Sequence, residues 1–139
     1  MVKIIVVSSY KKNAPTQALN AGERKIPGGP LYKNLLSKLD NCEVKAITNK
    51  CIQDMRCCSL EIWDLRDLIK LALQQNNFIN SQWCSTTKDH VIAACDAYTV
   101  SKTIPNPLAD VPETTTYYIK FFESSTGNAI ATVSLHPPR

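Results

Sequence analysis

Apolar and polar positions follow two different periods along this chain, and the change of period divides it. Leu31, Leu35 and Leu39 recur one helical turn apart and predict a first helix over 31–39. After the break at Asp40 and Asn41, Lys45, Ala46, Ile47 and Thr48 open a second helix, roughly Asn49 to Cys57, with Thr48 as its N-cap. A third is expected after Ser59, which can cap it. There Ile62, Leu65, Leu68, Ile69, Ala72 and Leu73 form one apolar stripe, while Asp64, Asp67 and Lys70 face away. Asn76 and Asn77 end that helix, and Trp63 within it reads as core.

Beyond residue 77 the character changes to β. His90 to Tyr98 is a mostly apolar strand, and Thr99 to Pro112, with Pro105, Pro107 and Pro112, is expected to be a loop. Thr116 to Glu123 and Ala129 to His136 flank a turn-rich 124–128 and predict a hairpin. Alternation sets Tyr118, Lys120 and Phe122 on one side of the first hairpin strand, and groups Ile130, Thr132, Ser134 and His136 on the second. Near the start, Lys3 to Ser9 is β-branched and reads as a short strand. Residues 10–30 carry three prolines and three glycines among basic side chains and read as a long basic loop.

These elements predict an α+β fold. About three N-terminal helices pack on one face of an antiparallel sheet, with Lys3 to Ser9 joining at an edge. The other sheet face is left to Tyr118, Lys120, Ser134 and His136. The whole chain, 1–139, is expected to be a single domain, a basic strand and loop extension over 1–30 preceding a core over 31–136.

Composition narrows the class. With 44% hydrophobic and 20% charged residues the chain is neither disordered nor membrane-embedded in its averages. No apolar run approaches the roughly twenty residues of a spanning helix, and no export-type apolar stretch stands near Met1. The expected location is cytoplasmic, without membrane contact. Positive charge is concentrated early: residues 1–50 hold nine Lys or Arg against three acids. Such a segment suits a phosphate-rich partner such as RNA, with Lys11, Lys12, Arg24, Lys25 and Lys88 as the candidate contacts. A solvated basic surface is the alternative. Of the six cysteines, none makes a C-x-x-C pair and Cys57–Cys58 are adjacent. Reduced thiols serving as small buried hydrophobes are therefore expected, Cys95 among them.

The chemistry on offer is acid–base. His90 and His136 are the only histidines, and histidine is the side chain that exchanges protons both ways near neutrality. Two histidines, a tyrosine and a lysine on one sheet surface would suffice for RNA cleavage without a metal or cofactor. A base takes the 2′-hydroxyl proton, an acid protonates the leaving 5′-oxygen, and a cation steadies the phosphate. No His/Cys/Asp cluster with metal-ligand spacing and no G-x-S-x-G elbow is present. Trp83 is a candidate base-stacking residue, with burial in the core as the alternative.

The order of short motifs carries a resemblance. Lys45-Ala46-Ile47-Thr48 precedes a helix containing Asp54. Ser85 to His90 precedes a strand ending Cys95-Asp96-Ala97-Tyr98, and Tyr118-Ile119-Lys120 and Val133-Ser134-Leu135 follow. This resembles the MqsR family of toxin ribonucleases, which share the general fold of RelE-type mRNA interferases, over roughly residues 31–136. The resemblance implies metal-independent RNA cleavage and a neutralising antitoxin or immunity-type protein partner. It places Tyr118 and Lys120 on the family's Y-x-K strand, Asp89 and His90 on its D-H pair, and Asp96 and Tyr98 on its D-V-Y motif. The family's first active-site lysine falls on Gln82, which becomes a substrate-binding position. Its W-Q-D glutamine falls on Cys95, and its last lysine on His136. The implied catalytic set is His136, Tyr118, Lys120 and His90. The alternative is a non-catalytic RNA-binding or protein-interaction module that kept the fold.

Overall fold

The structure is a computed structural model that describes residues 3–16, 24–104, 108 and 111–137. In chain order it contains β1 (Ile5–Val6), β2 (Lys25–Ile26), α1 (Leu35–Lys38) running into a 3-10 turn (Leu39–Asn41), β3 (Glu43–Ala46), α2 (Asn49–Cys57), α3 (Ile62–Gln75), β4 (Phe78–Ser85), β5 (Val91–Ile104), β6 (Glu113–Glu123) and β7 (Ala129–His136). The seven strands form one sheet in the order β2-β4-β5-β6-β7-β3, with β1 paired to β5. No helix among the described residues is long and apolar enough to cross a membrane.

This corrects the expected fold class. The protein is mostly sheet, and the sheet is mixed rather than antiparallel: β1 runs parallel to β5 and β3 parallel to β7. Helix α1 is a single turn of 4 residues, against 14 in β5 and 11 in β6. Three strands, β2, β3 and β4, stand where none was expected. Glu43 to Ala46 alternates exposed and buried positions, with Val44 inward, so the approach to α2 is an edge strand instead of a helix entry. Strand β4 carries polar residues on both faces, which hides its period. Likewise β5 continues to Ile104 through the stretch expected to be loop. The basic loop contains β2, paired with β4, and its positions 17–23 lie outside the described residues.

Strand β1 does not sit at the sheet edge. The pairing of β5 with β6 stops at Asp96 opposite Phe121, and β1 takes the vacated side at Val91 and Ile92. The amide of Ser9 then donates to Glu123 O at 2.9 Å, continuing the line of β6.

The helices that did form obey their patterns. Thr48 caps α2, its hydroxyl accepting from Cys51 N at 3.1 Å and donating to Val133 O at 2.8 Å. Helix α3 buries Leu65, Leu68, Ile69 and Ala72 and ends on Asn76 in the left-handed conformation at φ 58° and ψ 35°. Its N-terminus is closed by Glu61 and Asp64 as a capping box, not by Ser59. Trp63, at 65% exposure, is on the surface and not in the core. Helix α3 lies against β5 and β3, and α2 against β7. The core between them holds Leu65, Leu68, Ile119, Phe121, Ile130 and Leu135. Burying a side chain of this size contributes roughly 1.5–3 kcal/mol.

Asp96, fully buried in β5, ties the 24–32 segment to the sheet. It accepts from Leu31 N, Tyr32 N and the Ser81 hydroxyl. Close approach reinforces the tie, since a Cβ on Gly29 would lie 2.1 Å from Ser81 Oγ. Arg24 and Lys25 are thereby held beside β4.

Candidate active site

Register brings the candidate residues of β6 and β7 together on the face opposite Ile119, Phe121 and Leu135. His136, Tyr118 and Thr99 form one rank across three strands. Ser134, Lys120, Ala97 and Asn80 form the next rank across four. Cys95, Gln82 and Lys25 form a third. In the other direction the face continues as paired hydroxyls, Ser101 with Thr116 at 2.9 Å and Thr103 with Thr114 at 2.8 Å. Helices α2 and α3 meet the sheet at β7 and at β5 and β3, and their buried residues join the core that holds Ile119, Phe121 and Leu135.

The rings of Tyr118 and His136 stack, with centroids 5.1 Å apart and planes 14° from parallel. Nδ1 of His136 lies 2.7 Å from the Pro137 carbonyl. A carbonyl only accepts, so Nδ1 carries the hydrogen in the neutral ring and Nε2 is the nitrogen left to accept a proton. The Lys120 ammonium sits 6.0 Å from the Tyr118 ring centroid.

Toward β4 the same face carries the fully buried Ala97 and Cys95 and then Cys84, near enough for Lys120 and Cys84 to shift each other's titration. The Cys95 thiol donates to Ala93 O at 3.6 Å and the Cys84 thiol to Gln82 O at 3.8 Å, and the neighbouring Cys95 is the largest influence lowering the Cys84 pKa. Burial opposes it, while the charge and hydrogen bond of Lys120 and the charge of Arg24 add to it, leaving Cys84 at about 7. Cys95 moves the other way, chiefly because it is buried and next because Cys84 lies beside it. Burial would lower Lys120, but Cys84, Tyr118 and Cys95 outweigh it, so the ammonium is held protonated. Burial raises the Tyr118 phenol despite the opposing charge of Lys120. His136 thus stacks on Tyr118 and Lys120 lies over the Tyr118 ring, with Cys95 and Cys84 farther along the same face.

The other expected site residues lie in three places. Gln82 is half-buried within the third rank, opposite Cys95 and beside exposed Lys25. Arg24 is exposed next to it, its carbonyl accepting from Trp83 N at 2.7 Å. Trp83 points to the opposite face and is 3% exposed, packed near Tyr10, Ile26 and Ile92, so it forms core and offers no stacking surface. His90 and Lys88 belong to the turn between β4 and β5. Seven residue steps along β5 separate His90 from Ala97, the residue opposite Lys120, about 23 Å at roughly 3.3 Å per residue. His90 is therefore not brought to the cluster. Lys11 and Lys12 are exposed beyond β1.

Sequence reasoning missed Cys84. Its position two residues after Gln82 would have put it on this face once β4 was recognised as a strand. Its contact with Cys95 depends on the β4–β5 register, which no local signal carries. Cys95 is buried, as its alanine flanks suggested. Among the described residues no three His, Cys, Asp or Glu side chains group as metal ligands. No protein-family model, curated protein or solved structure matches the chain.

Proposed function

We propose that the protein is a metal-independent endoribonuclease of the toxin type, acting at Tyr118, Lys120 and His136. The observation that carries the reading is the packing of an imidazole, a phenol and an ammonium side by side on one sheet face. Nε2 of His136 takes the proton of a ribose 2′-hydroxyl, and the 2′-oxygen attacks the adjacent phosphorus. Lys120 balances charge on the phosphate as the phosphorus–O5′ bond breaks. Tyr118 orients the phosphate or hands its proton to the leaving oxygen. Lys25 and Arg24, beside Gln82, extend the positive surface along the strand of RNA. The resemblance of the Y-x-K strand and the final strand to the MqsR family supports the same reading. It also adds a neutralising protein partner to the proposal.

The test is incubation of purified protein with single-stranded RNA in the presence of a chelator. The control is the same oligonucleotide carrying 2′-deoxyribose throughout. Cleavage of the RNA alone, leaving 2′,3′-cyclic phosphate ends, is the expected result. Intact RNA under all conditions, or equal cutting of the deoxy control, overturns the proposal. Stable complex formation with a protein partner and no cleavage would favour an interaction module.

A further inference from the structure

Strand β3 ends the sheet opposite β2, and no described strand pairs with it on its outer side. The amides of Glu43 and Ile47 donate to Asn128 O and Thr132 O along β7, at 3.0 and 3.1 Å, so alternate residues give their main-chain groups to β7. Those of Val44 and Ala46 therefore turn to the free edge. Cys42 continues the line in extended conformation; its carbonyl accepts from Arg66 Nη2 at 2.8 Å and keeps a second lone pair. Glu43 and Lys45 project from one face and are exposed, while Val44 is buried on the other. On the Val44 side Ala46, Ile52, Leu60 and Ile62 line a groove between α2 and the start of α3. Ile62 is 45% exposed there, and Trp63 next to it 65%. A free edge recruits another strand unless its charges repel the newcomer. Strand β3 carries one charge of each sign, so in one register it attracts itself.

We propose that β3 is a self-association edge: two copies of this chain pair their β3 strands antiparallel about a two-fold axis at Val44, joining the two sheets. In that register the two Val44 residues exchange both main-chain bonds, and each Ala46 amide donates to the Cys42 carbonyl of the other copy. Glu43 of each copy then stands directly opposite Lys45 of the other. Within one chain Lys45 Nζ already lies 3.7 Å from Glu43 Oε2, and pairing turns that contact into two ion pairs across the joint. An axis at Glu43 or at Lys45 would instead set like charges opposite each other, so charge selects the register. The two-fold axis is perpendicular to the sheet, which keeps the helices of both copies on one side. The groove beside Ala46, with Ile62, thus borders the joint and adds apolar area to it. The surface uses no residue of the proposed cleavage site and stands apart from the nuclease reading.

The experiment is sedimentation equilibrium of the full-length protein over a range of concentrations. A thiol reductant is present to prevent cross-linking through the exposed Cys57. The expected result is a reversible monomer–dimer equilibrium. Lys45→Glu and Glu43→Lys each place two like-charge pairs across the joint and should weaken association by about tenfold or more. The double variant Glu43→Lys with Lys45→Glu restores opposite charges and should return association to the wild-type level. An equimolar mixture of the two single variants should form mixed dimers in preference to either alone. Both side chains are exposed, so circular dichroism should report the wild-type fold in every variant. A monomer at every concentration, including one that takes up only another protein's strand, overturns the proposal. So does a dimer indifferent to both single reversals, or a double variant as weak as the singles.

Discussion

Replacing Asp96 by alanine should cut the tie between the 24–32 segment and the sheet. The carboxylate is fully buried. Leu31 N donates to its two oxygens at 3.1 and 2.9 Å, Tyr32 N to Oδ2 at 3.2 Å, and Ser81 Oγ to Oδ1 at 2.6 Å. Every neighbour is a donor, so alanine strands two backbone amides at once. Each buried donor left without an acceptor costs about 1–3 kcal/mol, which puts Asp96→Ala near 3 kcal/mol, since Leu31 stays partly reachable by water. Asp96→Asn keeps one oxygen for the two amides and turns its NH₂ toward the Ser81 hydroxyl, which can accept. It should cost less than about 1 kcal/mol. Urea unfolding followed by Trp83 fluorescence reads the difference. With a slope of about 2 kcal/mol per molar, the midpoint falls by about 1.5 M for alanine and by less than about 0.5 M for asparagine.

The same site makes a pH prediction. Burial raises the Asp96 pKa, against the hydrogen bonds of Ser81, Leu31 and Tyr32, which lower it. The folded state therefore holds this proton more tightly than the unfolded state. The group's contribution to stability is fully present below its unfolded pKa and is lost as pH rises through the folded one. Across that window the asparagine variant, which has no charge to bury, should improve relative to wild type. Equal midpoint losses for alanine and asparagine, at every pH, would refute the reasoning.

Three further outcomes follow from the geometry. His136→Ala should reduce RNA cleavage by about 10²–10⁴-fold while leaving the unfolding midpoint nearly unchanged, since the ring stacks only on Tyr118 at a strand end; a folded variant that cuts at the wild-type rate removes His136 from the chemistry. Changing Lys11, Lys12, Arg24 and Lys25 together to alanine should lessen the salt dependence of RNA binding by up to about four phosphate contacts' worth of slope. An unaltered slope, measured by titration at several salt concentrations, would make that surface merely solvated. Thr48→Ala should cost about 1–2 kcal/mol in chemical denaturation, because it loses both the α2 cap and the bond to Val133 O. Thr48→Ser, which keeps the hydroxyl, should recover most of it.

Local signals in the sequence were sufficient for the elements whose physics is local. The α2 boundaries follow from one capping hydroxyl. The end of α3 follows from an asparagine that tolerates the left-handed conformation. The hairpin of β6 and β7 follows from alternation around a turn, and with it the meeting of Tyr118, Lys120, Ser134 and His136 on one face. What depended on partners distant in the chain was not legible. Strand β3 exists because β7 offers a parallel edge to Glu43 through Ala46, whereas the residues themselves lead naturally into a capped helix. Strand β4 has polar side chains on both faces, and only its place between β2 and β5 supplies the backbone partners that make it a strand. Trp83 and Trp63 exchange their expected surroundings because burial is set by what covers a position: the N-terminal segment covers Trp83, and no described element covers Trp63. Residue types announced a lysine, a tyrosine and a histidine. The register of four strands decided that His90 would stand apart and that Lys120 would stand in one rank with Ser134, Ala97 and Asn80, because pairing across a sheet joins residues that the chain keeps far apart.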